Sequence, residues 1–164
     1  MIQYLIFKNQ VYIFPPKHIT GFTRTKTALK KEEKPVHQNK PPPKIIIIDD
    51  DQALHRVFTR ILQKEGYTIQ TAETGKEALE KTKNQTFDAA LIDVKLPDIN
   101  GLDLLPLLNK TAPSMVKIVI TGYDIPEGKA GALQLGADDF FKKPLPPQVL
   151  LKAIKEQLAK KTTF

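Results

Sequence analysis

From Ile45 onward the sequence predicts an α/β fold, a parallel sheet covered by helices on both faces, and three observations carry that prediction. Five β-rich runs alternate with five helical stretches within about 120 residues, which is the pattern of right-handed βαβ units. The runs Ile45-Ile46-Ile47-Ile48 and Phe87 to Ile92 are almost continuously apolar, as suits strands buried on both faces rather than strands with one wet face. Strand after strand ends in a polar residue on the side where open α/β sheets bind ligands.

Taken in order, the chain opens with residues 1–44, which carry eight Lys, one Arg and two Glu. Six of the thirteen prolines fall between residues 15 and 44, so this stretch reads as a disordered, basic, Pro-rich N-terminal arm. Met1 to Phe14 can pair as a short hairpin, but an isolated two-stranded unit is marginal in water, and the arm is assigned no fold. The domain spans 45–160, with 161–164 as a tail. Its first strand, Ile45 to Ile48, runs into Asp49-Asp50-Asp51. Leu54, Val57, Phe58, Ile61 and Leu62 then have the spacing of an amphipathic helix facing inward, and Gly66 caps its end. Tyr67 to Ala72 is a second strand. Thr74-Gly75-Lys76-Glu77 has capping-box spacing and opens a second helix.

Phe87 to Asp93 is the third strand, followed by a turn-rich loop, Leu96-Pro97-Asp98-Ile99-Asn100-Gly101. A third helix lies within Leu102 to Asn109, where Pro106 deletes one backbone hydrogen bond and is expected to delay or kink it. Val116 to Ile120 is the fourth strand and leaves through Thr121-Gly122. A short helix around Glu127 to Leu135 is weakened by Gly128 and Gly131, at about 1 kcal/mol each relative to Ala. Asp139 to Lys142 forms the fifth strand, Lys143-Pro144 ends it, and Val149 to Leu158 is the last helix, with Leu150, Leu151, Ile154 and Leu158 inward.

Composition removes several classes of function. The net charge of +7 belongs wholly to the arm, since residues 45–164 hold 16 basic and 16 acidic side chains. Nucleic acid is therefore not an expected partner of the folded part. No cysteine is present, which excludes disulfides, thiolate metal sites and thiol nucleophiles. There is no apolar run of membrane-spanning length and no signal-peptide pattern, and a cytoplasmic location is expected.

The strand ends supply the chemistry. Asp49 and Asp50 end the first strand, Asp93 the third, Thr121 the fourth and Lys143 the fifth. Asp93 by itself reads as a solvated or helix-capping acid; the other four strand-end residues alter that reading. Carboxylates about 4 Å apart repel by roughly 4 kcal/mol per pair at an effective dielectric near 20, so three together call for a cation. Oxygen donors without Cys or His select a hard ion, Mg²⁺. Metal and Lys143 then neutralise charge on a phosphoryl group, the Thr121 hydroxyl donates to one of its oxygens, and Asp93 is the nucleophile.

Ile45 to about Leu158 resembles the receiver domains of two-component response regulators, on the strength of IIIIDDD, LIDVKLPDING, IVITGYD and GADDFFKKPL in the right order and spacing. The resemblance implies a flavodoxin-like (βα)5 sandwich with strand order 2-1-3-4-5. It implies that Asp49 and Asp50 are the acidic pair holding Mg²⁺, that Asp93 is the phosphoacceptor and that the backbone carbonyl of Lys95 is a further metal ligand. By the same match Thr121 is the switch hydroxyl, Lys143 the site lysine and Phe140 the aromatic that changes rotamer, and the Lys143-Pro144 peptide is cis. A signalling domain is implied rather than an enzyme, catalysing only its own phosphotransfer and dephosphorylation. Its implied partners are a sensor histidine kinase or phosphotransfer protein and a downstream protein. The face made by the fourth helix, fifth strand and fifth helix can also pair with a second copy.

Plainer readings attach to several neighbours. Asp51 is the N-cap of the first helix, Lys142 a solvated charge, and Phe140 and Phe141 fit a core or interface on any sheet. His18 and His37 sit in the arm and His55 on the outer face of a helix, none with a role. An aspartate-nucleophile phosphatase of the haloacid-dehalogenase type matches the Asp-x-Asp within Asp49-Asp50-Asp51. Ala53 breaks its motif, however, and about 120 residues leave no room for a cap. A pseudo-receiver is disfavoured because all five site residues are present. The chain stops six residues after the last helix, so a stand-alone receiver acting through a protein partner or the arm is expected.

Overall fold

The structure is a computed structural model that describes residues 3–7, 10–14, 41–126 and 128–162. Residues 3–14 belong to a unit of their own, in which β1 (Gln3–Phe7) pairs antiparallel with β2 (Gln10–Phe14), Tyr4 opposite Ile13 and Ile6 opposite Val11. Of the expected arm, residues 15–40 lie outside the described residues, while 41–44 fall in the second unit.

The second unit alternates strand and helix: β3 (Lys44–Ile48), α1 (Gln52–Lys64), β4 (Thr68–Ala72), α2 (Gly75–Asn84), β5 (Ala89–Ile92), α3 (Gly101–Thr111), β6 (Val116–Thr121), α4 (Gly128–Gln134), β7 (Asp139–Lys142) and α5 (Pro147–Thr162). All five strands are parallel, in the order β4-β3-β5-β6-β7, which is the expected order 2-1-3-4-5. Successive strand residues point to opposite faces, and this splits the core in two. Ile46, Ile48, Ala90, Ile92 and Val119 pack beneath α2, α3 and α4 with Ala78, Leu104, Leu105, Leu108 and Ala132. Ile45, Ile47, Leu91, Ile118 and Ile120 pack against α1 and α5 with Phe58, Leu62, Leu150 and Ile154. The isoleucine run is buried throughout, which is why it shows no alternation.

Local signals place the helices. Asp51 accepts from Ala53 N (2.8 Å) and Leu54 N (3.1 Å), as an N-cap does. Gly66, at φ 89°, ends α1 in a Schellman motif: its N–H reaches Gln63 O at 3.0 Å and Tyr67 N reaches Leu62 O at 3.2 Å. Thr74 accepts from Glu77 N at 3.0 Å. Glu77 reaches back to Glu73 N at 2.8 Å, one residue beyond the usual target of a capping box. Pro106 does not delay α3, which starts at Gly101 and runs through to Thr111 with Pro106 on its exposed face. The Lys143-Pro144 peptide is cis. No helix among the described residues is long and apolar enough to cross a membrane.

Two expectations for α1 are corrected. Val57 is exposed, whereas His55, expected outside, is buried. The inner stripe is His55, Phe58 and Leu62, at spacings of three and four, and Val57 flanks it on the solvent side. No hydrogen-bond partner for His55 Nε2 is found among the described residues.

Candidate functional site

The carboxyl ends of β3, β5 and β6 and the exit of β7 converge on one acidic pocket. Asp49 follows β3 and Asp93 follows β5, and each is 5% exposed because its strand is covered on both faces. Strand pairing brings them side by side: Asp93 N donates to Ile48 O at 2.8 Å, continuing the β3–β5 ladder past its last pair. Across the sheet, Lys143 N donates to Thr121 O at 2.8 Å, which aims the lysine at the acids. Its Nζ donates to Asp49 Oδ2 and to Asp93 Oδ1, both at 2.8 Å.

The remaining carboxylate oxygens are held by backbone. Asp49 Oδ1 accepts from Asp51 N at 2.9 Å, and Asp93 Oδ2 accepts from Lys95 N at 2.6 Å. The loop after Asp93 turns tightly. Gly101 N donates to Val94 O at 2.7 Å, Lys95 bridges Asn100, and Asn100 caps α3 through Leu102 N at 2.9 Å. A Cβ at Gly101 would lie 2.0 Å from the carbonyl oxygen of Asp93, so only glycine fits there.

One ammonium thus serves two buried carboxylates. Burial pushes the Asp93 carboxyl above its ordinary 3.8 despite Lys143 and the Lys95 N–H, and Asp49 beside it pushes the same way. Lys143 moves up as well: burial opposes its charge, but hydrogen bonds to Asp49 and Asp93 outweigh that. The two shifts have different causes: burial dominates at Asp93, and the two carboxylates dominate at Lys143. Asp50 is exposed at the rim. Opposite it, Lys95 Nζ lies 5.0 Å from the Tyr123 ring centroid, and its pKa is raised by the Tyr123 hydroxyl first and then by Asp50 and Asp93.

Thr121 is fully buried, and its hydroxyl accepts from Tyr123 N at 3.2 Å. Phe140, in β7, is half-buried against the α2–α4 side of the sheet. Next to it, Asp139 accepts from Phe140 N at 2.8 Å and from Lys129 of α4 at 2.6 Å. The sequence-predicted site residues therefore gather at one end of the sheet, with Asp49, Asp93 and Lys143 in direct contact. Asp50 stays at the rim and Phe140 lies along the edge strand.

Among the described residues, no three acidic, histidine or cysteine side chains converge closely enough to hold a metal ion. The pocket's chemistry nonetheless suits a small hard dication. Its buried oxygen donors are the carboxylates of Asp49 and Asp93, and these acids outnumber the cation between them.

Residues 45–155 match the response regulator receiver domain family. The chain belongs to that family. Receiver domains are signalling domains, and they generally bind Mg²⁺ at an acidic pocket. The receiver is similar to the alginate biosynthesis transcriptional regulatory protein AlgB of Pseudomonas aeruginosa, at 34% identity over 108 residues. That match covers 66% of this chain and 24% of the relative, so the chain spans only about a quarter of that protein's length. Among solved structures, a CheY-like receiver domain protein from Methanospirillum hungatei is 41% identical with a TM-score of 0.72, over 74% of this chain and 98% of that one. A response regulator from Burkholderia pseudomallei, solved with a phosphorylated aspartic acid, calcium ion and citrate, is 26% identical with a TM-score of 0.66. It is covered over 71% of its length by 74% of this chain.

Sequence reasoning missed Lys117, Asp98 and Tyr123. Lys117 is fully buried in β6, where its Nζ donates to Met115 O at 2.8 Å, and burial pushes its pKa down to about 8. Nothing local betrays it, because a single Lys in an apolar run also reads as a strand-edge charge. Asp98 and Tyr123 act on residues brought near only by the fold.

Proposed function

We propose that this receiver accepts a phosphoryl group on Asp93 from a sensor histidine kinase or phosphotransfer protein and passes the signal on by a phosphorylation-dependent protein–protein contact. The observation that carries the reading is Lys143 Nζ, placed 2.8 Å from both Asp93 and Asp49. In this reading an Asp93 carboxylate oxygen attacks phosphorus in line, the P–N bond of phosphohistidine breaks, and its electron pair returns to the imidazole. Lys143 offsets the charge gathering on the phosphoryl oxygens, and the Thr121 hydroxyl turns from Tyr123 N to donate to one of them. Asp49, Asp50, Asp93 and the Lys95 backbone carbonyl are the groups that hold Mg²⁺, which supplies further neutralisation when bound.

The test is incubation with acetyl phosphate or a histidine kinase, with and without EDTA, followed by intact mass measurement. Phosphorylation is expected only with Mg²⁺ and is lost in Asp93→Asn. Undiminished labelling of that variant rejects Asp93 as the acceptor.

The signal is read, on this proposal, at α4, β7 and α5. Drawing Thr121 toward the phosphoryl group vacates space that Phe140 can enter, and α4 is short, with Gly131 inside it. Phe140 lacks a hydroxyl, so packing alone holds it inward. Beryllofluoride with Mg²⁺ is expected to shift amide signals from Gly122 to Leu135 and at Phe140 more than those of Leu54 to Leu62. An equal response along both stretches rejects the switch.

A further inference from the structure

The loop between Asp93 and α3 is tied to a helix that the phosphoacceptor reading leaves unused. Asp98, at the tip of that loop, accepts from Gly75 N through Oδ1 and from Lys76 N through Oδ2, both at 2.8 Å. These are the first two N–H groups of α2, which have no partner within the helix; the third is taken by Thr74 Oγ1. The first turn of α2 is therefore capped jointly by its own N-cap and by a carboxylate 22–23 residues further along the chain. Ile99 packs into the same junction, where a Cβ on residue 75 would lie 2.2 Å from Ile99 Cγ2. Only glycine lets the loop tip come this close.

At its base the same loop is fixed by the Lys95–Asn100 bridge and by Gly101 N on Val94 O. Base and tip are thus anchored to different elements, with Lys95 between them. We infer that Asp98 is a positioning residue, which clamps the loop to α2 and so sets where the Lys95 backbone is presented to the acidic pocket. The inference rests on the proposed phosphoacceptor reading, because it is there that the Lys95 carbonyl acts as a metal ligand. The Asp98 carboxyl lies below its ordinary value: burial raises it, and the N–H groups of Lys76 and Gly75 outweigh that, so it is charged at neutral pH and remains a double acceptor.

A helix cap that merely stabilised α2 would serve fold stability alone, and Thr74 supplies the comparison. Thr74→Ala removes a cap from the same turn without touching the loop. The experiment compares the full chain with Asp98→Ala, Asp98→Asn and Thr74→Ala by Mg²⁺ titration, following amide signals, and by hydrogen exchange of the Lys95 and Gly101 amides without metal. Asp98→Ala is expected to raise the Mg²⁺ dissociation constant about tenfold, the lower end of the effect of losing an outer partner of a metal ligand. Exchange at both amides should be faster, and Asp98→Asn, which keeps one acceptor oxygen, should fall between. Acetyl phosphate labelling of Asp98→Ala should be slow at low Mg²⁺ and recover at saturation. Thr74→Ala is expected to lower thermal stability while leaving Mg²⁺ affinity and loop exchange as in the parent chain. Unchanged affinity in Asp98→Ala, or an equal loss in Thr74→Ala, overturns the clamp and leaves a cap. A parent chain that binds no Mg²⁺ and takes no label overturns the phosphoacceptor reading itself, and the clamp with it.

Discussion

The two ends of the sheet bury charge in different ways. At the amino end, Asp138 accepts from Lys117 N at 2.7 Å and meets Lys161 Nζ at 3.4 Å. Asp88 likewise accepts from Lys44 N at 2.7 Å. Met115 O receives both Lys117 and Lys161. Each acid there has its own donors, and the group left strained is a cation, Lys117, whose pKa falls to about 8. At the carboxyl end two buried acids divide one ammonium, and the strained group is an anion, Asp93. An end with cations to spare has nothing to offer a metal ion, whereas an end short of positive charge favours taking a cation. Burial alone does not mark a site; the sign of the uncompensated charge does.

The largest expected effect comes from removing the shared cation. Lys143→Met leaves Asp49 and Asp93 buried without a cation and should cost about 3 kcal/mol at neutral pH, measured by urea unfolding without metal. Lys143 has a raised pKa, so its contribution is complete below 10.5 and is lost as pH climbs through the folded value; the gap between parent and variant should close there. Added Mg²⁺ should recover part of the loss. No loss would mean that the two ends do not differ as described.

The opposite sign is expected at the other end. Lys117→Met should stabilise the protein by about 1–2 kcal/mol at pH 7, because it removes a buried charge while Met115 O keeps Lys161. The folded pKa of Lys117 is depressed, so the parent chain gains stability as pH rises from about 8 to 10.5, and the advantage of the variant should shrink over that window.

Asp93→Asn should raise the thermal midpoint slightly. Its carboxyl has a folded pKa above 3.8, so the parent chain loses stability as pH rises from 3.8 through the raised value, and the variant should lack that slope. The smallest effect is reserved for the rim: Asp51→Ala should lower the thermal midpoint modestly through loss of the α1 cap, with Mg²⁺ affinity unchanged, whereas Asp50→Asn weakens Mg²⁺ binding. A larger loss of Mg²⁺ affinity in the Asp51 variant would place the acidic turn in a different register.

Much of this was legible in the sequence because it is local. The unalternating isoleucines, the Asp51 and Thr74 caps, the Gly66 stop and the polar strand ends each depend on a few adjacent residues, and the strand order followed from the family resemblance. What tertiary structure alone decided concerns residues whose partners lie far along the chain or whose face depends on what packs above. His55 lies in the inner stripe of α1 and Val57 beside it, and only the packing against α1 shows that His55 turns in and Val57 out. Lys117 sits in an apolar run as a charge, and its complete burial shows only in the closed fold. Asp98 in a turn sequence is an ordinary loop acid until α2 brings two unpaired N–H groups to it. Hydrophobic periodicity reports which stripe of an element is buried, but hydrogen bonding between distant groups is settled only by the geometry that closes the fold.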